Sequence, residues 1–141
     1  MRVLSVVPAQ DKDREDVIAA RLTVLNYGTG QATAVLADPA SGTILEVQQL
    51  KGRPQASAEE REEARSILRA APSAAALVTQ DRRIEGGFVV DPPAGLPTTG
   101  RYLEFHILSP DGTRIEAEAV VDLAARTVAS LQREGQKGGG S

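Results

Sequence analysis

Residues 52–72 (GRPQASAEEREEARSILRAAP) hold the one segment of this sequence that has a complete helical pattern. Ser57 and Glu60 are spaced as a capping box, in which the hydroxyl and the carboxylate each accept a hydrogen bond from the other residue's backbone N–H. Pro72 ends the helix because it has no N–H to donate. Apolar side chains recur at helical spacing: Ala64, Ile67, Leu68 and Ala71. Because this stripe is made largely of alanine, we expect the helix to lie close against a flat partner such as a sheet.

The helix also carries a dense set of charges. Its first turns are acidic and its last turns are basic, an order that the helix dipole favours: Glu59, Glu60, Glu62 and Glu63, then Arg65 and Arg69. We interpret these charges as capping and as a solvated outer face, and we do not expect them to form a binding surface.

The sequence on either side of the helix reads as short strands joined by tight turns. Alternating or β-branched runs predict strands at 2–7, 20–26, 32–37 and 43–50 before the helix, and at 84–90, 101–108, 114–121 and 127–131 after it. Pro8 is expected to end the first strand. Gly86 and Gly87 interrupt a strand and predict a bulge or a close backbone approach. The pattern predicts an α+β fold of cystatin-like type, with one main helix packed on a curved antiparallel sheet.

Length and composition narrow the classes of protein. The 141 residues suggest a single α+β domain over residues 1–134, followed at 135–141 by a flexible linker or a cloning-derived tail (KGGGS). The chain has no cysteine and a net charge of −3, without a basic stripe, so disulfides, thiolate chemistry and nucleic-acid binding are not expected. No apolar run reaches the roughly 20 residues of a membrane span. Residues 1–10 lack a signal-peptide pattern, and the compartment stays open, a mature exported form included.

Catalytic, cofactor-binding and metal-ligating residues are not predicted. His106 is the single histidine, so no histidine pair is available for zinc or copper. It alternates with Phe105 and Ile107, which predicts a surface or interface histidine rather than a catalytic base. The run from Asp11 begins like a calcium loop, but it lacks the turn glycine and the final glutamate, so no calcium site is expected either.

An interaction face is predicted on the strand at 101–108. There Tyr102, Glu104 and His106 share the side opposite the apolar one and place an aromatic ring among polar groups. We expect this face to meet a protein partner or a second copy of the chain.

Over most of its length the chain resembles the non-catalytic N-terminal domains, N2 and N3, of copper amine oxidases. The resemblance centres on the helix, with a motif of the form S/T-x-E-E…A…I-L/V-R-A-x-P that is matched by Gly52, Pro54, Ser57, Glu59, Glu60, Ala64, Ile67, Leu68, Arg69, Ala70 and Pro72. It extends to RVLSVV near the start, to residues 34–47, to VVDPP (89–93), to GRYLEF (100–105) and to AVVDLAARTVAS (119–130). Those domains are similar in fold to cystatin, flank the catalytic domain and perform no chemistry. The resemblance therefore implies a scaffold or interaction role, without amine oxidase activity, because the quinone-forming motif and the copper histidines are absent from this sequence.

Three functions follow as hypotheses. The first is a non-catalytic binding or assembly module. The second is a small-ligand-binding protein or enzyme that uses the concave side of the sheet as a pocket. The third is a cystatin-type protease inhibitor, since residues 48–52 (QQLKG) resemble the Q-x-V-x-G hairpin of that family, although here the segment precedes the helix and there it follows it.

Overall fold

A computed structural model describes residues 1–11, 14–78 and 82–134. The chain divides into two compact units, Met1–Pro54 and Gln55–Ser141. Each unit contains its own antiparallel sheet. The expectation that residues 1–134 form a single domain stays a prediction, and the predicted tail at 135–141 lies outside the described residues.

The first unit is a four-stranded antiparallel meander. Its strands pair in chain order as β1 (Arg2–Asp11), β2 (Arg14–Asn26), β3 (Gln31–Ala37) and β4 (Ile44–Gln49). Tight turns join the later strands: the Gly30 N–H donates to the Asn26 carbonyl at 2.7 Å, and the Gly42 N–H donates to the Asp38 carbonyl at 2.7 Å. Both turns lie in the gaps between the strands predicted at 20–26, 32–37 and 43–50.

The expected end of the first strand at Pro8 is wrong. β1 continues through Pro8 to Asp11, and Pro8 pairs with Ala20 of β2. A proline can remain within a strand at the edge of a sheet, because the missing N–H then faces the side that has no partner strand. β1 is such an edge strand, since β2 alone among the described strands is hydrogen-bonded to it.

The second unit combines the helix with the second sheet. Its α-helix, α1, spans Ala58–Ala70 and is followed by a short 3₁₀ turn at Pro72–Ala74. The strands again pair antiparallel in chain order: β5 (Ile84–Val90), β6 (Tyr102–Leu108), β7 (Ile115–Asp122) and β8 (Thr127–Arg133). The predicted α+β class is confirmed. The predicted single sheet is not: the strands form two sheets, and the helix lies on the second.

The start of α1 has the predicted capping box. The Ser57 hydroxyl accepts from the Glu60 N–H at 3.1 Å, and the Glu60 carboxylate accepts from the Ser57 N–H at 3.1 Å. Ala64 and Leu68 have no exposed surface and face the second sheet, and the Arg65 guanidinium lies over the ring of Phe105 at 5.8 Å. The sheet side of this core is formed by fully buried Leu103, Phe105, Ile107, Ala117, Ala119 and Val121.

Glu60 departs from the expected solvated outer face. Its side chain is completely buried, and Arg101, itself buried, donates to both of its carboxylate oxygens at 2.9 and 3.0 Å. The same guanidinium also donates to the Gln55 carbonyl at 3.3 Å. The Glu60 side chain therefore caps the helix and also joins its first turn to Arg101, the residue before β6.

Gly86 and Gly87 form the predicted irregularity in β5. The pairing with β6 shifts between Gly86 and Phe88, which is a bulge, and Gly87 has a φ of +89°. A Cβ at Gly87 would lie 2.7 Å from side-chain carbons of Arg61 on α1. Glycine is therefore required for two reasons: the positive φ and the close approach of the helix.

Candidate functional site

The side of the second sheet that faces away from α1 carries the predicted interaction residues. We call it the outer face. The strand register aligns two cross-strand rows there: Glu85, His106, Glu118 and Gln132 form one row, and Phe88, Glu104, Val120 and Ser130 form the next. The shift at the β5 bulge brings Phe88 opposite Glu104, because without the extra residue it would point to the helix side.

Tyr102 shares this parity but has no exposed surface. Its hydroxyl donates to the Pro97 carbonyl at 2.9 Å, so the loop before β6 folds against the ring. Burial raises the pKa of Tyr102, and the nearby charge of Asp122 adds to the shift. Tyr102 is thus a core residue in this structure, and of the predicted face Glu104 and His106 remain accessible.

Glu104, His106 and Glu118 form a compact cluster on the outer face. Each is half-buried, and one ligand atom from each lies within 4.8 Å of the other two. His106 Nε2 is 3.4 Å from Glu104 Oε1. Sequence reasoning excluded metal ligation because it sought a second histidine. The available signal was the i, i+2 pair on β6 together with a glutamate opposite it on β7.

The charged residues around this cluster are both acidic and basic. Glu85 lies opposite His106 on β5 and makes an ion pair with Arg83 at 3.4 Å. Glu116, one step along β7, pairs with Arg82 and with Arg114. Arg83 therefore contacts Glu85, and Arg82 and Arg114 contact Glu116.

The first sheet presents a second candidate surface, which sequence reasoning did not single out. We call it the apolar face. Three cross-strand rows on one side of the sheet compose it: Val3, Val24, Thr33 and Gln49; Val6, Leu22, Val35 and Val47; and Pro8, Ala20, Ala37 and Ile44. Val6 and Val47 are each 60% exposed, and Ile44 is 61% exposed. The alternation of residue types did not identify this face, because β3 is also apolar on its opposite side, at Ala32, Ala34 and Leu36.

The concave side of the second sheet was the predicted place for a ligand pocket. Fully buried side chains of the helix and sheet pack there. An open groove of about 520 Å³ lies instead at the C-terminal end of α1, and it is lined by Ser66, Ile67, Ala70, Ala71, Pro72, Ser73, Arg126, Thr127 and Val128. Arg126 in its wall makes an ion pair with Glu63.

Comparison with known proteins adds no assignment: no protein-family model and no curated protein sequence matches the chain. The resemblance to the N-terminal domains of copper amine oxidases stays a prediction. Within residues 1–11, 14–78 and 82–134, no helix has the length and apolar character that a membrane crossing requires.

Proposed function

We propose that this chain is a non-catalytic assembly module, and that it self-associates through the apolar face of its first sheet. The observation that carries the proposal is the row formed by Val6, Leu22, Val35 and Val47. This row crosses all four strands without a polar side chain, and its two outer members are largely exposed.

An antiparallel sheet that has one side in water is ordinarily polar on that side. Here the solvent-facing row is aliphatic, and the rows beside it add Val3 and Ile44, which are 49% and 61% exposed. Contiguous exposed aliphatic surface is characteristic of an interface. Facing a second sheet at about 10 Å would remove it from water, as in a β-sandwich.

A second copy of the same chain fits this surface best. The three rows contain no charged side chain, so two identical faces can meet around a twofold axis without like-charge repulsion. Four strands at about 4.8 Å spacing and six residues at about 3.3 Å rise give a projected area of roughly 400 Å². That is about half of the roughly 800 Å² per partner of a standard interface, so we expect a weak, concentration-dependent dimer.

The test measures association directly. Sedimentation velocity of the wild-type chain over a wide concentration range should show a monomer–dimer equilibrium. Val47→Glu places a carboxylate on the edge strand β4 of the apolar face in both copies. We expect it to weaken the dimer at least about tenfold, because charges buried in or facing one another across an interface are strongly unfavourable. Val6→Glu should act in the same way from the opposite edge of the sheet.

Phe88→Glu is the matched control. Phe88 is 69% exposed but lies on the second sheet, so this substitution removes as much exposed apolar surface without touching the apolar face. Equal weakening by Val47→Glu and Phe88→Glu would indicate non-specific association. A wild-type chain that stays monomeric at every concentration would overturn the proposal, and stable capture of a different protein by this face would replace the second copy as its occupant.

The resemblance to amine oxidase N-terminal domains is consistent with an assembly role, since those domains flank a catalytic domain. The cystatin-type alternative makes a different prediction, namely inhibition of papain-like proteases. An inhibition assay with the wild-type chain distinguishes the two.

A further inference from the structure

We propose that Glu104, His106 and Glu118 bind a divalent first-row transition metal ion of the zinc class on the outer face of the second sheet. This inference does not rest on the assembly proposal, because it concerns the other compact unit and other residues.

The donor set is the first argument. One imidazole nitrogen and two carboxylates combine the ligand types that zinc takes in open sites, where three protein ligands leave a further position for water or substrate. A purely carboxylate group would favour calcium or magnesium, whereas the imidazole shifts the preference toward later first-row ions. His106 is the single histidine of the chain, and it lies between the two glutamates, opposite Glu118 and two residues from Glu104.

The spacing of the donor atoms is the second argument. Ligands at about 2.1 Å from a tetrahedral ion lie about 3.4 Å from one another. His106 Nε2 and Glu104 Oε1 are 3.4 Å apart. The third donor atom, a carboxylate oxygen of Glu118, lies within 4.8 Å of both. A change of the Glu118 side-chain torsions that moves this oxygen by about an ångström would complete the triad.

The sheet supplies the third argument, since it fixes the Cα positions from which these side chains extend. His106 and Glu118 are direct cross-strand partners in the regular part of the β6–β7 ladder. Opposed residues have Cβ atoms about 5 Å apart, a separation from which an imidazole and a carboxylate can share one ion. Glu85, on the other side of His106, is paired with Arg83 and is not a member of the cluster.

Without a metal, the same residues would form an ordinary polar contact between His106 and its glutamates. The two interpretations differ in what happens when zinc is added. Because the chain has one histidine and no cysteine, every imidazole-ligated ion must use His106. The ring proton signals of His106 in a ¹H NMR spectrum therefore report directly on the site.

Zinc chloride is titrated into the full wild-type chain at neutral pH, with the His106 ring signals and the thermal unfolding midpoint as readouts. We expect a saturable shift of the ring signals at one ion per chain and a rise in the midpoint. Glu118→Gln keeps the size and polarity of the side chain but removes the charged ligand, and we expect it to weaken zinc binding at least about tenfold, since even residues that only orient metal ligands contribute about 10–100-fold. Glu104→Gln should weaken it similarly.

Glu85→Gln is the control, because Glu85 neighbours His106 but is not a member of the cluster. It should change zinc affinity by about twofold or less, the effect of one screened surface charge. Substitution of zinc by cobalt should give the intense visible bands of a four- or five-coordinate ion, and these bands should disappear in His106→Ala.

Two results would overturn the proposal. The first is the absence of any change in the His106 ring signals at a large molar excess of zinc. The second is zinc binding that is equally strong in wild type, Glu118→Gln and His106→Ala, which would place the ion elsewhere on the chain. The folded state of each variant is checked by circular dichroism, and these exposed or half-buried polar positions are expected to tolerate the changes.

Discussion

Replacement of Arg101 by methionine tests how the buried ion pair at the start of α1 contributes to the second unit. The wild-type guanidinium donates twice to Glu60 and once to the Gln55 carbonyl. Methionine fills a similar volume but removes the guanidinium that donates to the buried Glu60 carboxylate. Of the donors to Glu60 named above, the Ser57 N–H at 3.1 Å then remains.

The magnitude follows from the burial of both partners. The side chains of Arg101 and Glu60 are 4% and 0% exposed, so neither charge can recover its hydration in the folded state. Removal of one partner from such a pair costs about 3–5 kcal/mol, because an uncompensated charge stays behind. Replacement of both partners by apolar residues of similar volume is often close to neutral. The double variant Glu60→Met/Arg101→Met also loses half of the capping box, which adds about 1 kcal/mol.

We therefore expect each single variant to lose about 3–5 kcal/mol of unfolding free energy and the double variant to lose only about 1–2 kcal/mol. Urea denaturation followed by circular dichroism measures all four proteins, and the double-mutant cycle gives the coupling energy. If a single variant does not fold, Arg101→Lys provides a milder step, since it keeps the charge but loses the two-pronged contact. Ser57→Ala is the control for capping alone, at about 1 kcal/mol.

Additive losses in the double variant would refute the reasoning, because independent effects cannot arise from one shared pair. Losses below about 1 kcal/mol in both single variants would also refute it, since that is the range of a solvated surface ion pair.

Three further predictions concern the second unit. Gly87→Ala should lower the unfolding free energy measured by chemical denaturation by about 1–3 kcal/mol. Gly95 has a similar φ of +83° but no neighbour within 4 Å of an added Cβ. Gly95→Ala should therefore cost less, because only the Cβ at position 87 clashes with Arg61. Hydrogen bonds from Ser109 and then Thr113 lower the pKa of Asp111 from 3.8 to about 2. Its contribution to stability is therefore present above pH 3.8 and is lost as the pH falls toward 2. The unfolding free energy from urea denaturation should change less steeply with pH in this range for Asp111→Asn than for the wild type. Burial raises the pKa of Tyr102 above 10.0, so the unfolded chain loses this proton at a lower pH than the folded one. The contribution of Tyr102 to the unfolding free energy should therefore be constant below pH 10 and should fall as the pH rises above 10. Tyr102→Phe should remove this dependence on pH.

The helix was the most predictable element because its signals are local. The capping box, the apolar stripe and Pro72 all lie within one segment, and the structure has α1 where they place it. The glycine pair was predictable for the same reason, since a glycine inside a strand has few explanations. Both the bulge and the close approach of the helix are present.

The division into two sheets was not predictable from the strands themselves. Each strand before and after the helix has the same alternation, and that alternation does not specify which strand pairs with which. The partner of Glu60 was missed for a related reason: Arg101 is 41 residues away in sequence, and a capping-box glutamate usually faces solvent. A lone arginine at the start of a strand gives no sign of a buried partner.

The candidate site was predicted in part. Alternation with Phe105 and Ile107 predicted that His106 lies on the opposite side of its strand, and in the structure His106 lies half-buried beside Glu104. Tyr102 has the same parity but is the first residue of β6, where the loop that contains Pro97 covers it. The position of Glu118 in the cluster could not be predicted, because it depends on the β6–β7 register, which no local sequence pattern specifies.

Pro8 has a consequence for how the first sheet can grow. An exposed edge strand can recruit another strand, and repeated recruitment produces fibres. Pro8 removes a donor from the middle of β1, which makes this edge a poor template, while β4 forms the other edge. If two chains joined edge to edge through β4, both ends of the resulting eight-stranded sheet would be β1 strands that contain this proline, and addition of a third chain would be disfavoured. In such an arrangement a single imino acid would limit edge-to-edge growth to pairs and would oppose open-ended polymerisation of a strongly apolar sheet.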